Sequence, residues 1–289
     1  MTGKRELSTL IGDLSMLKTL TQAYQQIAAN HIRKTRTTVV LNRDFITELL
    51  TLFQDVRVAY RAQLLSLMRK KRIKHTDNLS LIRRNGKTTT VFIAANTGLY
   101  GSIVKKTVEM LTDYLQKNVA DVTILGRAGE SIFKESNPKK KYMLFDFPDA
   151  GIDAAKLSDL VSHLLKYEKV LVFYSQFQSI VSQNPTISTL DSSITLEEEK
   201  QQEIKKYLFE PSLEKIIVFF ETEIFGLIFE QTLRESQLAK QASRMFALDQ
   251  AIQNINTRLG KTRTMESVMT HRMLNAKQVN SLASMAFWT

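Results

Sequence analysis

The sequence predicts an α/β protein: an antiparallel coiled coil of long N- and C-terminal helices plus a central Rossmann-like α/β domain. Three observations predict it. Helix breakers are confined to the middle of the chain. Both ends carry apolar residues in steps of three and four. Between them, short apolar runs alternate with helical stretches.

Glycine and proline divide the chain. Neither occurs between Asp13 and Asn85, whereas residues 86 to 211 hold six of the ten glycines and all four prolines. Beyond Pro211 only Gly226 and Gly260 remain. These limits give a first helical region over residues 1–85, a central α/β domain over 86–206 and a second long helix over 207–289. In the last region Met245, Leu248, Ile252, Ile255 and Leu259 mark a coiled-coil seam. One helix from 212 to 285 would be roughly 110 Å long, more than an ordinary globular domain buries. It therefore needs a partner helix. The N-terminal region offers one, with Leu7, Leu10, Leu14, Leu17, Thr21, Tyr24, Ala28 and His31 on the same spacing. Arg33, Lys34 and Arg36 follow on a solvated or partner-facing surface, and the pattern resumes at Ile46, Leu49, Leu50 and Phe53.

In the middle, Val91–Ala95, Val122–Leu125, Tyr142–Phe147 and Lys169–Ser175 read as strands. Helical stretches occupy about 102–117 and 154–166, with a short helix after Gly129. This alternation predicts a mostly parallel sheet with right-handed crossovers. The turns Gly98-Leu-Tyr-Gly101 and Gly126-Arg-Ala-Gly129 stand at strand C-terminal ends, where such sheets bind ligands. Neither matches a dinucleotide fingerprint, and tight turns explain the glycines. Gly86-Lys87-Thr88 is no phosphate loop, because Leu81 stands where the earlier glycine is required. Glu197-Glu-Glu-Lys200 and Glu203 form a polar connector into the last helix.

Composition narrows the function. The chain of 289 residues is 43% hydrophobic and 24% charged, which fits a folded protein. It has no cysteine, so thiolate metal sites and disulfides are excluded. His31, His75, His163 and His271 lack ligand spacing, and no cofactor or metal is expected. The N-terminus has no signal-peptide core, and no apolar run spans a bilayer, so direct membrane insertion is not expected. A net charge of +11 favours an anionic partner. Arg69–Lys74 is the densest basic run, but no aromatic residues interleave it, and a solvated helix end is preferred to a nucleic-acid patch. Nothing resembles paired catalytic carboxylates, a serine–histidine arrangement or a phosphate loop.

The residues resemble a family, the gamma subunits of F-type ATP synthases. The resemblance rests on an ordered set of segments covering nearly the whole chain. These are Lys18–Ala23 and Ile27–Lys34, the two glycine turns, Phe173–Leu190 with Ser182-Gln-Asn-Pro-Thr-Ile-Ser-Thr-Leu190, Tyr207-Leu-Phe-Glu-Pro-Ser212, Glu235-Ser236 and Gln241-Ala-Ser-Arg-Met-Phe-Ala-Leu248. The chain also departs from the family. A Ser-Glu pair is replaced by Ala239-Lys240, reversing the charge. Asp followed by Arg or Lys is replaced by Asn96-Thr97, an asparagine by Val104, and an acidic pair is missing from Glu266–Asn280.

The resemblance implies a non-catalytic central-stalk rotor, coupling proton translocation to ATP synthesis or hydrolysis. It implies as partners the hexameric ring of alpha and beta subunits, an epsilon-type small subunit and a membrane c-ring. It also implies a peripheral position on the cytoplasmic face of an energy-coupling membrane. Subunit contacts are then expected at Arg33, Lys34, Arg244 and Met245, with Tyr207 and Glu210 at the foot. Leu282, Met285, Phe287 and Trp288 would form an apolar bearing, or else a helix end packed on its own coiled coil. The departures motivate a second reading, the shaft of a divergent ATPase not coupled to proton translocation. A basic nucleic-acid scaffold is a third, supported by charge alone.

Overall fold

The computed structural model describes residues 2–71, 84–191 and 213–286. Within them lie α1 (Thr2–Lys71), β1 (Thr88–Ile93), α2 (Ile103–Lys117), β2 (Asp121–Leu125), α3 (Arg127–Ser136), β3 (Met143–Phe145), α4 (Ala154–Leu164), β4 (Lys169–Phe177), β5 (Gln183–Asp191) and α5 (Leu213–Ala286). The chain forms two compact units: residues 31–243, and residues 1–30 with 244–289.

The larger unit is built on a five-stranded sheet in the order β3-β2-β1-β4-β5. The first four strands are parallel, and β5 returns antiparallel to β4. Among the described residues the expected strands and helices are present, except that the short helix expected after Gly129 starts at Arg127 and includes Gly129. The segment read only as a return is itself the edge strand β5, because a tight turn closed by Gln178 N–H to Ser182 O needs no crossover helix.

Side-chain alternation divides the core in two. Val91, Ile93, Val170, Val172 and Tyr174 point to one face, where Leu160 and Leu164 of α4 and Phe225, Phe229 and Leu233 of α5 cover them. Phe92, Ala94, Val122, Ile124, Leu171 and Phe173 point to the other, beneath Ile103, Val108 and Leu111 of α2 and Phe133 of α3. A sheet buried on both faces needs near-continuous apolar strands, and β1 and β4 supply them. Tyr174 packs on the α5 side, where burial and the carboxylate of Glu235 push its hydroxyl up to about 12. In the same unit Ile46 and Phe53 of α1 are buried, and the Phe53 ring lies 5.8 Å from that of Phe220.

In the smaller unit, the two helical segments run antiparallel. Gly3 lies beneath Met269, Ile11 and Leu14 pack with Ile255 and Leu259, and Gln25 donates to Asp249 at 3.1 Å. Partners fall in number along one segment as they rise along the other. The C-terminal seam is the expected one: Leu248, Ile255 and Leu259 are buried, and Thr262 extends it. The N-terminal seam keeps Leu14, Thr21 and Ala28 but not its alternate members, since Leu10, Leu17 and Tyr24 are 45%, 50% and 50% exposed. The covered line instead passes through Ile11, Lys18 and Gln25, all half-buried. Both lines obey three-four spacing, so periodicity alone does not choose between them.

Candidate functional site

The doubly wound sheet has its topological switch beside β1, where β2 and β4 flank it on opposite sides. Such sheets bind ligands in the crevice beyond the strand ends at that point. In this protein the chain fills the position itself. Ser236 to Ser243 of α5 are all buried, although Ser236, Gln237, Lys240, Gln241 and Ser243 are polar. A helix that is buried and polar must find partners for its side chains.

Three of these residues find them in carbonyl groups above the sheet. Gln237 donates from Nε2 to Gly151 O at 2.8 Å and Pro148 O at 3.2 Å, both in the loop between β3 and α4. Lys240 donates from Nζ to Ala94 O, at the end of β1. Ser243 donates from Oγ to Tyr100 O at 2.8 Å, in the turn between β1 and α2. The polar side chain recurs every third residue, so the three donors share one side of the helix, spread over about 120°.

The acceptors are themselves tied together. Asp149 receives the N–H of Asn96 at 2.7 Å, the N–H of Thr97 at 2.9 Å and the hydroxyl of Thr97 at 2.7 Å. Asn96 donates from Nδ2 to Phe147 O at 2.6 Å and receives Arg127 N–H at 2.8 Å. Arg127 closes the rim with an ion pair to Asp146 at 2.8 Å. That pair is exposed and contributes little to stability.

Burial of Lys240 pushes its ammonium down to about 8, an effect that the nearby Asp149 carboxylate partly offsets. Burial also acts to raise Asp149. The Asn96 and Thr97 hydrogen bonds and the Lys240 charge outweigh it and hold the carboxyl below its ordinary value. The site thus holds a hydrogen-bonded ammonium inside the protein, and the charge of the nearby Asp149 carboxylate offsets part of the cost of burying it.

Packing explains the glycines Gly126 and Gly129. A Cβ on Gly129 would stand 1.9 Å from the Cβ of Ala94, and one on Gly126 would stand 2.6 Å from Ala95 O at a φ of +103°. The N–H groups of Ala128 and Gly129, which open α3, donate to Ala95 O at 2.9 and 3.3 Å. Amides that could hold a phosphate at a helix N-terminus are therefore occupied by the chain itself.

Of the residues expected to contact other subunits, Arg33 and Lys34 are exposed on α1, and Arg244 and Met245 are half-buried on α5. Leu282, 67% exposed, stands on α5 about ten turns beyond Met245. Met285 is the last residue but one of the same helix. Tyr207, Glu210, Phe287 and Trp288 lie outside the described residues, as does the second half of the Arg69–Lys74 run. Sequence reasoning missed Gln237, Ser243 and Asp149. A signal was present: the replacements at Asn96-Thr97 and Ala239-Lys240 fall on one cluster in the fold.

Comparison with known proteins places this architecture. A family model described as ATP synthase matches residues 3–267. The "ATP synthase gamma chain" of Mycoplasma capricolum is 24% identical over 258 residues, covering 86% of this chain and 85% of its own. That of Desulfitobacterium hafniense is 24% identical over 267 residues, covering 88% of each. Among solved structures, the central stalk and c-ring assembly of the Tetrahymena thermophila mitochondrial ATP synthase contains a chain with the same fold. Its TM-score is 0.57 at 18% identity, over 80% of this chain and 99% of that one. A chain of the Euglena gracilis mitochondrial enzyme matches with a TM-score of 0.52 at 14% identity, over 89% and 94%.

Proposed function

The chain belongs to the ATP synthase gamma family, and from that premise we propose that it is the central-stalk rotor of an F-type ATP synthase. The family match over residues 3–267 carries the reading. The fold supports it. Two terminal helices pair antiparallel, and α5 continues from that pair into the central α/β domain.

The rotor acts by position and carries no catalytic group of its own. The helix pair stands in the cavity of the hexameric ring of alpha and beta subunits. Its sides differ: one closes the seam at Leu14, Ile255 and Leu259, and another exposes Leu10, Leu17, Leu20, Tyr24 and Ile27. Each catalytic subunit meets a different side and is shifted by its differential contact with that side. The central domain grips the c-ring and an epsilon-type small subunit, with Tyr207 and Glu210 at the foot. Leu282, Met285, Phe287 and Trp288 turn in an apolar bearing. Arg33, Lys34, Arg244 and Met245 face the ring, and the net charge of +11 complements acidic surfaces around the shaft. The complex couples proton translocation to ATP synthesis or hydrolysis. No described helix is long and apolar enough to cross a membrane. As a part of that complex, the chain would sit peripherally on the cytoplasmic face of an energy-coupling membrane.

The altered C-terminal pattern and the charge reversal at Lys240 motivate a motor without a proton-translocating ring. Lys240 is buried inside the central domain, donates to Ala94 O and feels the Asp149 charge, and so gives no sign of an altered partner. Affinity isolation of the tagged chain in mild detergent, followed by mass spectrometry, tests the proposal. Alpha, beta and a small membrane ring subunit are expected together. Recovery of the ring of alpha and beta subunits with no membrane ring would overturn the proton-coupled reading.

A further inference from the structure

The geometry points to a torque-bearing clasp in which Gln237, Lys240 and Ser243 lock α5 to the sheet, with Lys240 as its central positioning residue. The inference rests on the rotor reading and adds the element by which torque passes between helix and domain.

A rotor transmits torque only if its helix neither turns nor slides against the domain that it drives. Apolar packing resists such motion weakly, because it is non-directional and can repack after a small shift. Phe225, Phe229 and Leu233 hold α5 to the sheet in this non-directional way. Hydrogen bonds to fixed carbonyl groups are directional and fail beyond a narrow range of angle and distance. The clasp lies directly after this apolar stretch. Its donors reach three different places: the loop between β3 and α4, the end of β1, and the turn between β1 and α2. A rotation of α5 by one residue, about 100°, would break all three together.

The acceptor segments are tied to one another, Tyr100 through a 3.2 Å contact of its hydroxyl with that of Thr97. Asn96 and Thr97 bind Asp149, Asn96 binds Phe147, and Gln237 binds the loop that carries Asp149. A load on one donor is therefore shared with the others. Lys240 stands in the middle, fully buried, donating to Ala94 and facing the Asp149 charge. A buried ammonium leaves its acceptors only at high cost, since water does not replace them there. A neutral side chain of the same size would fill the space without this restraint.

The test uses the assembled complex. The chain has no native cysteine, so Val119→Cys, at a position 97% exposed, gives a unique attachment for a bead on the central domain. Angular fluctuation of the bead is recorded with the motor stalled, and ATP hydrolysis is recorded without load. Lys240→Met is expected to raise the angular variance by about twofold or more, as α5 samples unclasped states. Unloaded hydrolysis should stay unchanged. Amide exchange over residues 237–243 should accelerate by on the order of tenfold. Gln237→Ala, which removes only neutral hydrogen bonds, should act in the same direction to a smaller extent, and it decides the matter if Lys240→Met does not assemble. Phe229→Leu is the control: it weakens the same unit without touching the clasp, and should leave the variance unchanged. Equal variance in the Lys240 and Gln237 variants and the parent overturns the clasp. So does an equal rise in the Phe229 control, which would reduce Lys240 to a purely structural residue. A parent complex that assembles but never turns overturns the rotor reading instead.

Discussion

The two units of the chain are held together in different ways. In the central domain, Phe92, Phe133, Phe173 and Phe229 are entirely or almost entirely removed from water, on both faces of one sheet. In the helix pair the covered line is narrow. It includes Thr21, Ala28 and Thr262, and the largest apolar residues of the N-terminal segment point outward. A domain that buries large side chains on both faces closes its own core. A helix pair with a small, partly polar seam and an open apolar stripe is finished by what surrounds it. The difference fits the division of labour in a rotor: one part grips, and the other turns inside a sleeve.

This contrast can be broken by four measurements. The largest effect is expected for Phe229→Ala, which empties the interface between α5 and the sheet and should cost about 3–5 kcal/mol in urea unfolding. A cost no larger than that of a seam truncation would mean that the central domain is not the better-packed unit.

The next effect concerns the buried charge. The folded Lys240 titrates near 8, below its ordinary value of 10.5. Between these values the unfolded chain binds more protons, so stability rises with pH through this window. The rise should amount to about 2–3 kcal/mol more in the parent than in Lys240→Met, measured by denaturant unfolding from pH 7.5 to 10.5. At the acid end Asp149 works in the same sense. Its depressed folded value contributes stability above the ordinary carboxylate range, and this is lost as pH falls through the folded value. Parallel pH profiles for parent and variant would show that Lys240 is not buried as a charge.

A smaller effect is expected in the helix pair. Ile255→Ala should cost about 2 kcal/mol, the low end for such truncations, because the seam is shallow and can close over the gap. Fluorescence or circular dichroism melts in which this change matches Phe229→Ala would erase the contrast. The smallest effect is on the open stripe. Leu17→Ser should change the stability of the isolated chain by within about 0.5 kcal/mol. The same change should weaken assembly with the ring of alpha and beta subunits. Loss of stability in the isolated chain would show that the stripe is covered by the chain itself.

Much of this architecture was legible in the sequence. The strands at Val91, Val122, Tyr142 and Lys169 stood out because a sheet covered on both faces needs continuous apolar runs. The C-terminal seam from Met245 to Leu259 was equally plain, since its alternative lines are polar. The N-terminal seam was half legible. Leu10, Leu17 and Tyr24 are better seam residues by composition than Ile11, Lys18 and Gln25, yet the structure covers the second set. A helix with two lines on three-four spacing does not declare which faces its partner within the chain. The clasp was the least legible part. Gln237, Lys240 and Ser243 resemble surface residues, and their partners lie more than 80 positions away.

The sequence by itself determined the elements, their order and the class of fold. Those depend on local spacing, on where breakers occur and on how far each apolar run extends. Only the tertiary structure decided which of two evenly spaced lines closes the coil, and that a lysine in a reversed-charge position is an internal donor. Both depend on which surfaces meet. Burial and hydrogen-bond geometry are set jointly by segments far apart in the chain, and no local pattern contains them.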